Sequence, residues 1–392
     1  MRIVLTGGGT GGHVMPFEAI IEALRTIHLK EKMTLPPFLE PDELELFFVG
    51  VTTPEGDALF QKYDVPSIHI PSGKKRRYAS LKNIIDLFCK LPWGIVVALY
   101  RMWQIMPDVV VSKGGYGSVP AVLAASFYRI PILLHESDVV PGSSNMFLMK
   151  FASAITLGFA VARQYLATWP HKLFVTGTPV RMFLSNEQKK GAKASFGLAE
   201  EDKVVLVMGG SQGAEQINEA LLGSLSDIVE KTAVIHLTGE AHFAAVSKVA
   251  EEILADSSRK EKYKPYAHLT TQMASALLAA DAAVTRAGAS SLAEIARLRI
   301  PSLVIPLDGA ANDHQRKNAL AFEAAGGALV LDPTNVSPNL VKQSILRLVS
   351  DEELRTTLKN NLAALDFPNA ALEIASLVFK LASGFRPSKK QV

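Results

Sequence analysis

The sequence predicts an α/β protein of two domains, each built around a parallel sheet flanked by helices. Short runs rich in valine, isoleucine and leucine alternate with segments of helical periodicity along the chain, a pattern typical of such sheets. The order strand, glycine-rich loop, helix occurs twice, at residues 7–12 and again at 209–213. The 392 residues also exceed the roughly 250 to 300 at which single cores stop growing.

Eight apolar runs predict strands, at residues 3–5, 46–49, 109–111, 132–134, 204–208, 234–237, 282–285 and 303–305. The helix after each glycine loop has one apolar face, which contains Phe17, Ile20, Leu24 and Ile27 in the first case and Ile217, Leu221, Leu225 and Ile228 in the second. We therefore expect two Rossmann-like domains whose carboxyl-end loops face each other across a cleft. Glycine and proline near residue 180 predict domains at 1–180 and 181–365, with a helix in 366–392 packing back on the first.

The net charge, the cysteine content and the first residues of the chain exclude several classes of protein. A formal net charge of +3 is small for this length and argues against nucleic acid as a partner. A single cysteine, Cys89, excludes an internal disulfide and a thiolate metal cluster. The first strand runs directly into glycines, without the basic, apolar and small-residue segments of a secretory signal. We expect a cytoplasmic protein.

An apolar stretch at residues 84–106, which includes Phe88 and Trp93, follows a basic cluster formed by Lys74, Lys75, Arg76 and Arg77. Polar residues and a proline interrupt this stretch, so it is unsuited to spanning a bilayer, which needs about 20 apolar residues. Basic residues beside interrupted apolar surface favour a segment lying on an anionic leaflet. The alternative is a buried helix preceded by a solvated basic loop.

The first glycine loop matches the dinucleotide pattern only formally. The second predicted strand ends Phe48-Val49-Gly50 and lacks the acidic residue that would hold a ribose. Glycines at a helix N-terminus still let backbone amides approach an anionic or polar ligand. His13 follows this loop and is a candidate general base. Alternatively, the His13 side chain only hydrogen-bonds a nearby backbone group or the substrate molecule whose hydroxyl group reacts.

Polar residues also follow strands in the second half. Ser211, Gln212 and Gly213 place hydroxyl, amide and backbone donors where a diphosphate could bind. Glu294 either accepts both hydroxyls of a ribose or, at capping-box spacing from Ser291, closes a helix end. The chain has no Asp-x-Asp pair and no cysteine cluster, so we expect neither a metal site nor a cofactor.

Six ordered motifs together resemble the MurG-type bacterial N-acetylglucosaminyltransferases. They are Gly8-Gly9-Thr10-Gly11-Gly12-His13, Lys113-Gly114-Gly115-Tyr116, His135-Glu136-Ser137-Asp138 with Asn145, Thr176-Gly177-Thr178-Pro179-Val180-Arg181, Gly209-Gly210-Ser211-Gln212-Gly213, and Arg286-Ala287-Gly288 through Asp313-His314-Gln315. The resemblance covers nearly the whole chain. It implies the two-domain GT-B fold, with a nucleotide-sugar donor held mainly by the second domain.

The resemblance also implies roles for individual residues. Arg181, Ser211, Gln212 and Gly213 would bind the donor diphosphate, Glu294 the ribose, Gln315 the sugar, and Thr270 and Met273, after the strand-like segment 267–269, the uracil. Thr10, Gly11 and Gly12 would approach the donor from the acceptor side, where His13, Asp138 and Asn145 would face the acceptor. His13 is the first candidate for the base and Asp138 the second.

The implied reaction is an inverting transfer of N-acetylglucosamine from UDP-N-acetylglucosamine to the muramyl C4 hydroxyl of an undecaprenyl-linked muramyl pentapeptide, at the cytoplasmic leaflet of the inner membrane. Two alternatives keep a similar architecture. One is a glycolipid synthase that glycosylates diacylglycerol, and the other is a UDP-N-acetylglucosamine epimerase, which needs no acceptor.

Overall fold

The computed structural model describes residues 1–8, 14–34, 43–73, 86–181, 189–209, 214–269 and 272–387. The chain divides into two compact units, Met1–Met182 with Asn369–Val392 and Phe183–Pro368. Each unit has its own parallel sheet. The predicted α/β class with two parallel-sheet domains is confirmed.

The sheet of the first unit has seven strands in the order β3-β2-β1-β4-β5-β6-β7. They are β1 (Arg2–Thr6), β2 (Glu45–Gly50), β3 (Ser67–His69), β4 (Val109–Ser112), β5 (Ile132–Glu136), β6 (Ala154–Leu157) and β7 (Leu173–Val175). The chain order reverses between β1 and β4, which pair in parallel. Ligands of open α/β sheets bind outside the carboxyl ends of the strands at such a point.

Helices cover both faces of this sheet. They are α1 (Phe17–Thr34), α2 (Pro54–Lys62), α3 (Leu91–Ile105), α4 (Val119–Phe127) and α5 (Ser143–Leu148). A π-helical turn at Asp86–Lys90 leads into α3, which packs against α4. Successive residues of a strand point to opposite faces, so Val109 and Val111 join the core beneath α1 while Val110 joins the core beneath α3 and α4.

The sheet of the second unit has six strands in the order β10-β9-β8-β11-β12-β13. They are β8 (Val204–Met208), β9 (Ala233–Leu237), β10 (Tyr263–Tyr266), β11 (Ala282–Thr285), β12 (Ser302–Val304) and β13 (Leu329–Val330). Here the order reverses between β8 and β11. The strand-like segment expected at 267–269 is not a strand, because β10 ends at Tyr266.

The helices of the second unit are α6 (Glu215–Leu222), α7 (Leu225–Val229), α8 (Phe243–Ile253), α9 (Met273–Ala279), α10 (Ala289–Leu298), α11 (His314–Ala324), α12 (Pro338–Ser350) and α13 (Glu352–Ala363). The last helix, α14 (Ala370–Ala382), belongs to the first unit and packs against α1. Its residues Ile374, Val378 and Leu381 are fully buried in the core beneath α1. They recur at spacings of four and three, which places them on one helix face.

Candidate active site

The carboxyl ends of β4 and β5 bring ionisable side chains together in the first unit. Lys113 directly follows β4, and Glu136 is the last residue of β5. Both side chains are buried, although lysine and glutamate are almost never fully buried unless they are paired. Asp138, two residues after Glu136, is half-buried.

Glu136 is the centre of a hydrogen-bond network. Its carboxylate accepts from the backbone amides of Asp138 (3.0 Å) and Gly142 (3.2 Å) and from Nδ2 of Asn145 (2.8 Å). Burial raises the pKa of Glu136, the charge of Asp138 raises it further, and these donated bonds act in the opposite direction. The network fixes the turn that presents Asp138.

Asn145 lies inside this network. The side chain is buried, and its Oδ1 accepts from the backbone amide of Gly115 at 3.1 Å while its Nδ2 donates to Glu136. Gly114 has a φ of +77° and lies so close that a Cβ there would approach Asn145 Oδ1 to 1.8 Å. Asn145 therefore connects the loop after β4 with the loop after β5, and glycine is required at 114.

The Lys113 ammonium is enclosed within the protein. Its side chain is 1% exposed, and Nζ donates to the hydroxyl Oγ of Ser137. Burial lowers the pKa of Lys113 to about 7, against the attraction of Glu136 and Asp138. Burial and the charge of Lys113 also hold the pKa of the neighbouring His135 well below its usual range. His135 is therefore a neutral imidazole, whose Nδ1 lies 2.9 Å from Thr156 Oγ1.

The first glycine loop begins at the end of β1, next to this cluster. Gly8 has a φ of +132°, and a Cβ there would lie 1.8 Å from the carbonyl oxygen of Val51, so no larger residue fits. The candidates Thr10, Gly11, Gly12 and His13 lie outside the described residues. Their assignments stay predictions.

Arg181 forms an ion pair within the first unit. Its Nε lies 3.0 Å from Glu18 Oε2, and Glu18 also pairs with Lys62 at 2.8 Å. Burial alone would raise the pKa of Glu18, but the bond from Lys62 and the charge of Arg181 outweigh it and keep the pKa low. The ion pair with Glu18 fixes the position of the Arg181 side chain in the first unit. Its role toward a donor diphosphate stays a prediction.

In the second unit, Arg286 follows β11 and Glu294 lies within α10. The interpretation of Ser291 and Glu294 as a capping box is wrong, because α10 begins at Ala289, with extended Gly288 as its N-cap and no side-chain cap bond. Glu294 is thus an interior, half-buried residue of the helix. Burial lowers the pKa of the Arg286 guanidinium. Arg286 thus lies at the carboxyl end of a strand at which the sheet order reverses.

Two further donor candidates are described. Gln315 lies in the first turn of α11, where its Oε1 accepts from the backbone amide of Leu307 at 2.9 Å, and it is thereby tied to the loop after β12. Met273 is the first residue of α9 and is half-buried. Ser211, Gln212, Gly213 and Thr270 lie outside the described residues.

Helix α3 has an exposed apolar stripe. Trp93, Val96, Tyr100 and Trp103 recur at spacings of three and four and are all exposed, while Gly94, Ala98, Met102 and Ile105 form the buried face. Phe88, just before the helix, is also exposed. A helix buried on all sides is therefore excluded. The basic residues Lys74, Lys75, Arg76 and Arg77 lie outside the described residues, and no described helix is long and apolar enough to cross a membrane.

Lys113 and Glu136 both belong to motifs found in the sequence, but no role in binding or catalysis was predicted for either. The need of Lys113 for a partner was predictable in part, because it directly follows the buried strand Val109–Ser112, where an ammonium is unfavourable without a partner. Its proximity to Glu136 and Asp138 depends on the pairing of β4 with β5.

Solved structures of other proteins match the whole chain. Acinetobacter baumannii MurG superimposes with a TM-score of 0.68 at 24% identity, covering 97% of this chain and 99% of that chain. The MnaA–UDP complex from S. aureus gives 0.70 at 15% identity, covering 99% of each. The UDP-GlcNAc 2-epimerase from Neisseria meningitidis gives 0.68 at 14% identity, covering 97% and 100%. The architecture defines the two-domain GT-B class, as predicted.

Sequence comparison is more specific. The N-terminal domain model of glycosyltransferase family 28 matches residues 3–157, and the C-terminal domain model matches residues 204–374. A UDP-N-acetylglucosamine–N-acetylmuramyl-(pentapeptide) pyrophosphoryl-undecaprenol N-acetylglucosamine transferase from Bacillus anthracis is 34% identical over 91% of this chain and 94% of its own. The enzyme of the same name from Natranaerobius thermophilus is 29% identical over 97% and 100%. The chain belongs to glycosyltransferase family 28.

Proposed function

We propose that this glycosyltransferase moves N-acetylglucosamine from UDP-N-acetylglucosamine to the C4 hydroxyl of the muramyl residue in an undecaprenyl-diphosphoryl-muramyl pentapeptide, which forms lipid II for peptidoglycan. The observation that supports this most strongly is the near full-length identity of 34% to relatives named for this transfer. The match extends over 91% of this chain and 94% of the relative's own length.

The proposed chemistry is a single displacement. The C4 oxygen of the acceptor bonds to the anomeric carbon while the bond from that carbon to the UDP oxygen breaks. A base takes the hydroxyl proton, and UDP leaves with the bonding electrons. His13 is our first candidate for this base and Asp138, presented by the Glu136 network, is the second.

For the donor, the second unit offers groups of suitable chemistry near the carboxyl ends of its strands. The Arg286 guanidinium suits phosphate oxygens, and the Glu294 carboxylate suits the two ribose hydroxyls. Gln315 is fixed by the bond from Leu307 and is assigned to the sugar. Ser211, Gln212 and Gly213 are assigned to the diphosphate, and Thr270 and Met273 to the uracil.

Membrane association is proposed for the first unit. The acceptor's undecaprenyl chain stays in the bilayer, so the enzyme must work at its surface. The exposed stripe of Trp93, Val96, Tyr100 and Trp103 on α3 has the aromatic character of segments that lie at a lipid interface. The basic cluster at residues 74–77 adds attraction to an anionic, cytoplasmic leaflet.

The test is transfer of radiolabelled N-acetylglucosamine from UDP-N-acetylglucosamine to a synthetic lipid-linked muramyl pentapeptide. We expect label in the lipid-linked product and none with diacylglycerol as the acceptor. Label on diacylglycerol alone would instead identify a glycolipid synthase.

The second candidate is an epimerase, because the UDP-GlcNAc 2-epimerase from Neisseria meningitidis superimposes as well as Acinetobacter baumannii MurG does, each with a TM-score of 0.68. Incubation with UDP-N-acetylglucosamine alone separates these functions. A transferase leaves the sugar configuration unchanged, whereas an epimerase converts it without any acceptor.

Replacing Glu294 by glutamine is expected to raise the KM for UDP-N-acetylglucosamine about 10- to 100-fold, because a charged acceptor of two ribose hydroxyls is worth about 1.5–3 kcal/mol. Steady-state kinetics with varied donor measure this effect. Glu323→Gln, on the exposed face of α11, is the matched control and should leave the KM unchanged. An unchanged donor KM in Glu294→Gln would show that Glu294 does not bind the nucleotide.

A further inference from the structure

We propose that Lys113 is a positioning residue of the transfer reaction, whose buried ammonium acts through Asp138 by holding the turn from Glu136 to Asp138 in its working geometry. The inference rests on the proposed function, since the turn is assigned to the acceptor side of the reaction.

Lys113 and Glu136 both contact the turn that presents Asp138. Lys113 Nζ donates to the Ser137 hydroxyl, and Ser137 lies between Glu136 and Asp138 in the chain. Glu136 in turn accepts the backbone amide of Asp138 at 3.0 Å. The Lys113 ammonium and the Glu136 carboxylate thus both bind the turn formed by residues 136–138, the first through the Ser137 hydroxyl and the second through the Asp138 amide. Any displacement of Lys113 is transmitted to the backbone that presents the Asp138 side chain.

The Lys113 ammonium is a buried charge close to two carboxyl groups. A lysine side chain that is 1% exposed has lost the hydration of its ammonium, which costs several kcal/mol unless nearby charges compensate. The groups that interact with it electrostatically include the carboxyl groups of Glu136 and Asp138 and the imidazole of His135. His135 is neutral, and burial shifts the pKa of both Lys113 and Glu136 to about 7, so the ammonium faces the Asp138 carboxylate and a Glu136 side chain that itself titrates near neutral pH. An aliphatic residue at 113 would pack without this cost, but it would remove the positive charge that faces Glu136 and Asp138.

The Lys113 ammonium titrates near neutral pH. Burial is the dominant effect and lowers the pKa of Lys113 to about 7, while Glu136 and Asp138 oppose the shift. Removing the negative charge of Asp138 takes away part of that opposition. The midpoint of Lys113 must therefore fall further if the two groups are coupled.

A double-mutant cycle tests the inference with the full-length enzyme. Lys113→Met is expected to lower kcat about 30-fold near neutral pH while the KM for UDP-N-acetylglucosamine changes less than about 2-fold. In the Asp138→Asn background the same substitution should lower kcat by less than about 3-fold, because the group through which Lys113 acts is already neutral. If the two losses multiply, Lys113 does not act through Asp138 and the inference is wrong.

A titration provides a readout that needs no substrate. The ¹³Cε signal of Lys113, assigned by its loss in Lys113→Met, is expected to titrate near pH 7 in the wild type and at a lower pH in Asp138→Asn. An unchanged midpoint would overturn the pairing. This readout also separates the two claims, because a wild-type enzyme without transfer activity refutes the proposed function whatever the titration shows.

Lys172 supplies the matched control. Its ammonium is also partly buried in the first unit, but its hydrogen bond goes to the backbone carbonyl of Ala152 at 2.7 Å rather than to the carboxylate turn. Lys172→Met should leave kcat and the Lys113 midpoint unchanged. Thermal unfolding of every variant checks the fold, and a Lys113→Met enzyme whose loss of kcat persists undiminished in the Asp138→Asn background would mark Lys113 as merely structural.

Discussion

Transfer activity is expected to fall at least about 100-fold when Glu136 is replaced by alanine, together with a loss of about 3–5 kcal/mol in the stability of the first unit. The substitution removes the acceptor for Asn145 Nδ2 and for the amides of Asp138 and Gly142. It also leaves the buried Lys113 ammonium with one carboxylate fewer. Acceptor-dependent kcat and thermal unfolding measure the two effects.

Two further variants test whether the loss of the Glu136 network causes these effects. Glu136→Gln keeps the side-chain shape and one acceptor oxygen, so its losses should be intermediate. Glu45→Ala breaks the exposed ion pair with Arg2 (3.3 Å) in the same unit, and exposed pairs contribute at most about 1 kcal/mol. If Glu136→Ala were no more destabilising than Glu45→Ala, the network would not hold the turn.

Binding to anionic vesicles is expected to weaken on the order of 1,000-fold when Trp93 and Trp103 are both changed to serine. These side chains are 61% and 60% exposed, and burying each at a lipid interface should contribute about 2 kcal/mol. Turnover of a short-chain, water-soluble acceptor should stay within about 2-fold, since neither residue belongs to the acceptor-side network. Sedimentation with phosphatidylglycerol vesicles measures the binding.

The control for this experiment is the pair Val249→Ser and Ile253→Ser on α8, which removes exposed apolar surface from the second unit. That variant should bind vesicles like the wild type. Equal losses of vesicle binding and of short-chain turnover in the tryptophan variant would refute the assignment of α3 as the membrane face.

The fold was predictable because buried parallel strands leave a strong pattern in the sequence. All five residues of β8, Val204–Met208, are buried, and such continuous apolar runs are typical of sheets covered on both faces. The strands that sequence analysis missed are short or lie toward the sheet edges. Ser67–His69 and Leu329–Val330 are only partly buried, so neither hydrophobicity nor alternation marks them.

The site was predictable only as far as each group belongs to one local motif. The family motifs pointed to Asp138 and Gln315 as candidates, and a polar residue after a strand pointed to Glu294. The contact partners of these and other candidate site residues depend on tertiary packing, which brings together residues that lie far apart in the sequence. The ion pair between Glu18 and Arg181, for example, joins residues 163 positions apart. No spacing rule within a motif can predict such a contact.

The backbone conformation at the start of α10 shows that Glu294 does not belong to a capping box. Its spacing from Ser291 fits a capping box, but that interpretation depends on where the helix begins. Gly288 is extended, with φ −70° and ψ 131°, so α10 begins three residues earlier than a cap at Ser291 would require. Sequence spacing alone does not reveal this starting point.

The most direct test of the proposed function is the structure of the reaction product. Incubating the enzyme with UDP-N-acetylglucosamine and a lipid-linked muramyl pentapeptide, then determining linkage and anomeric configuration by NMR, should give a β-1,4 bond between N-acetylglucosamine and the muramyl residue. An α-linked disaccharide would contradict the single displacement. An unmodified acceptor accompanied by an epimerised sugar nucleotide would contradict the proposed function itself.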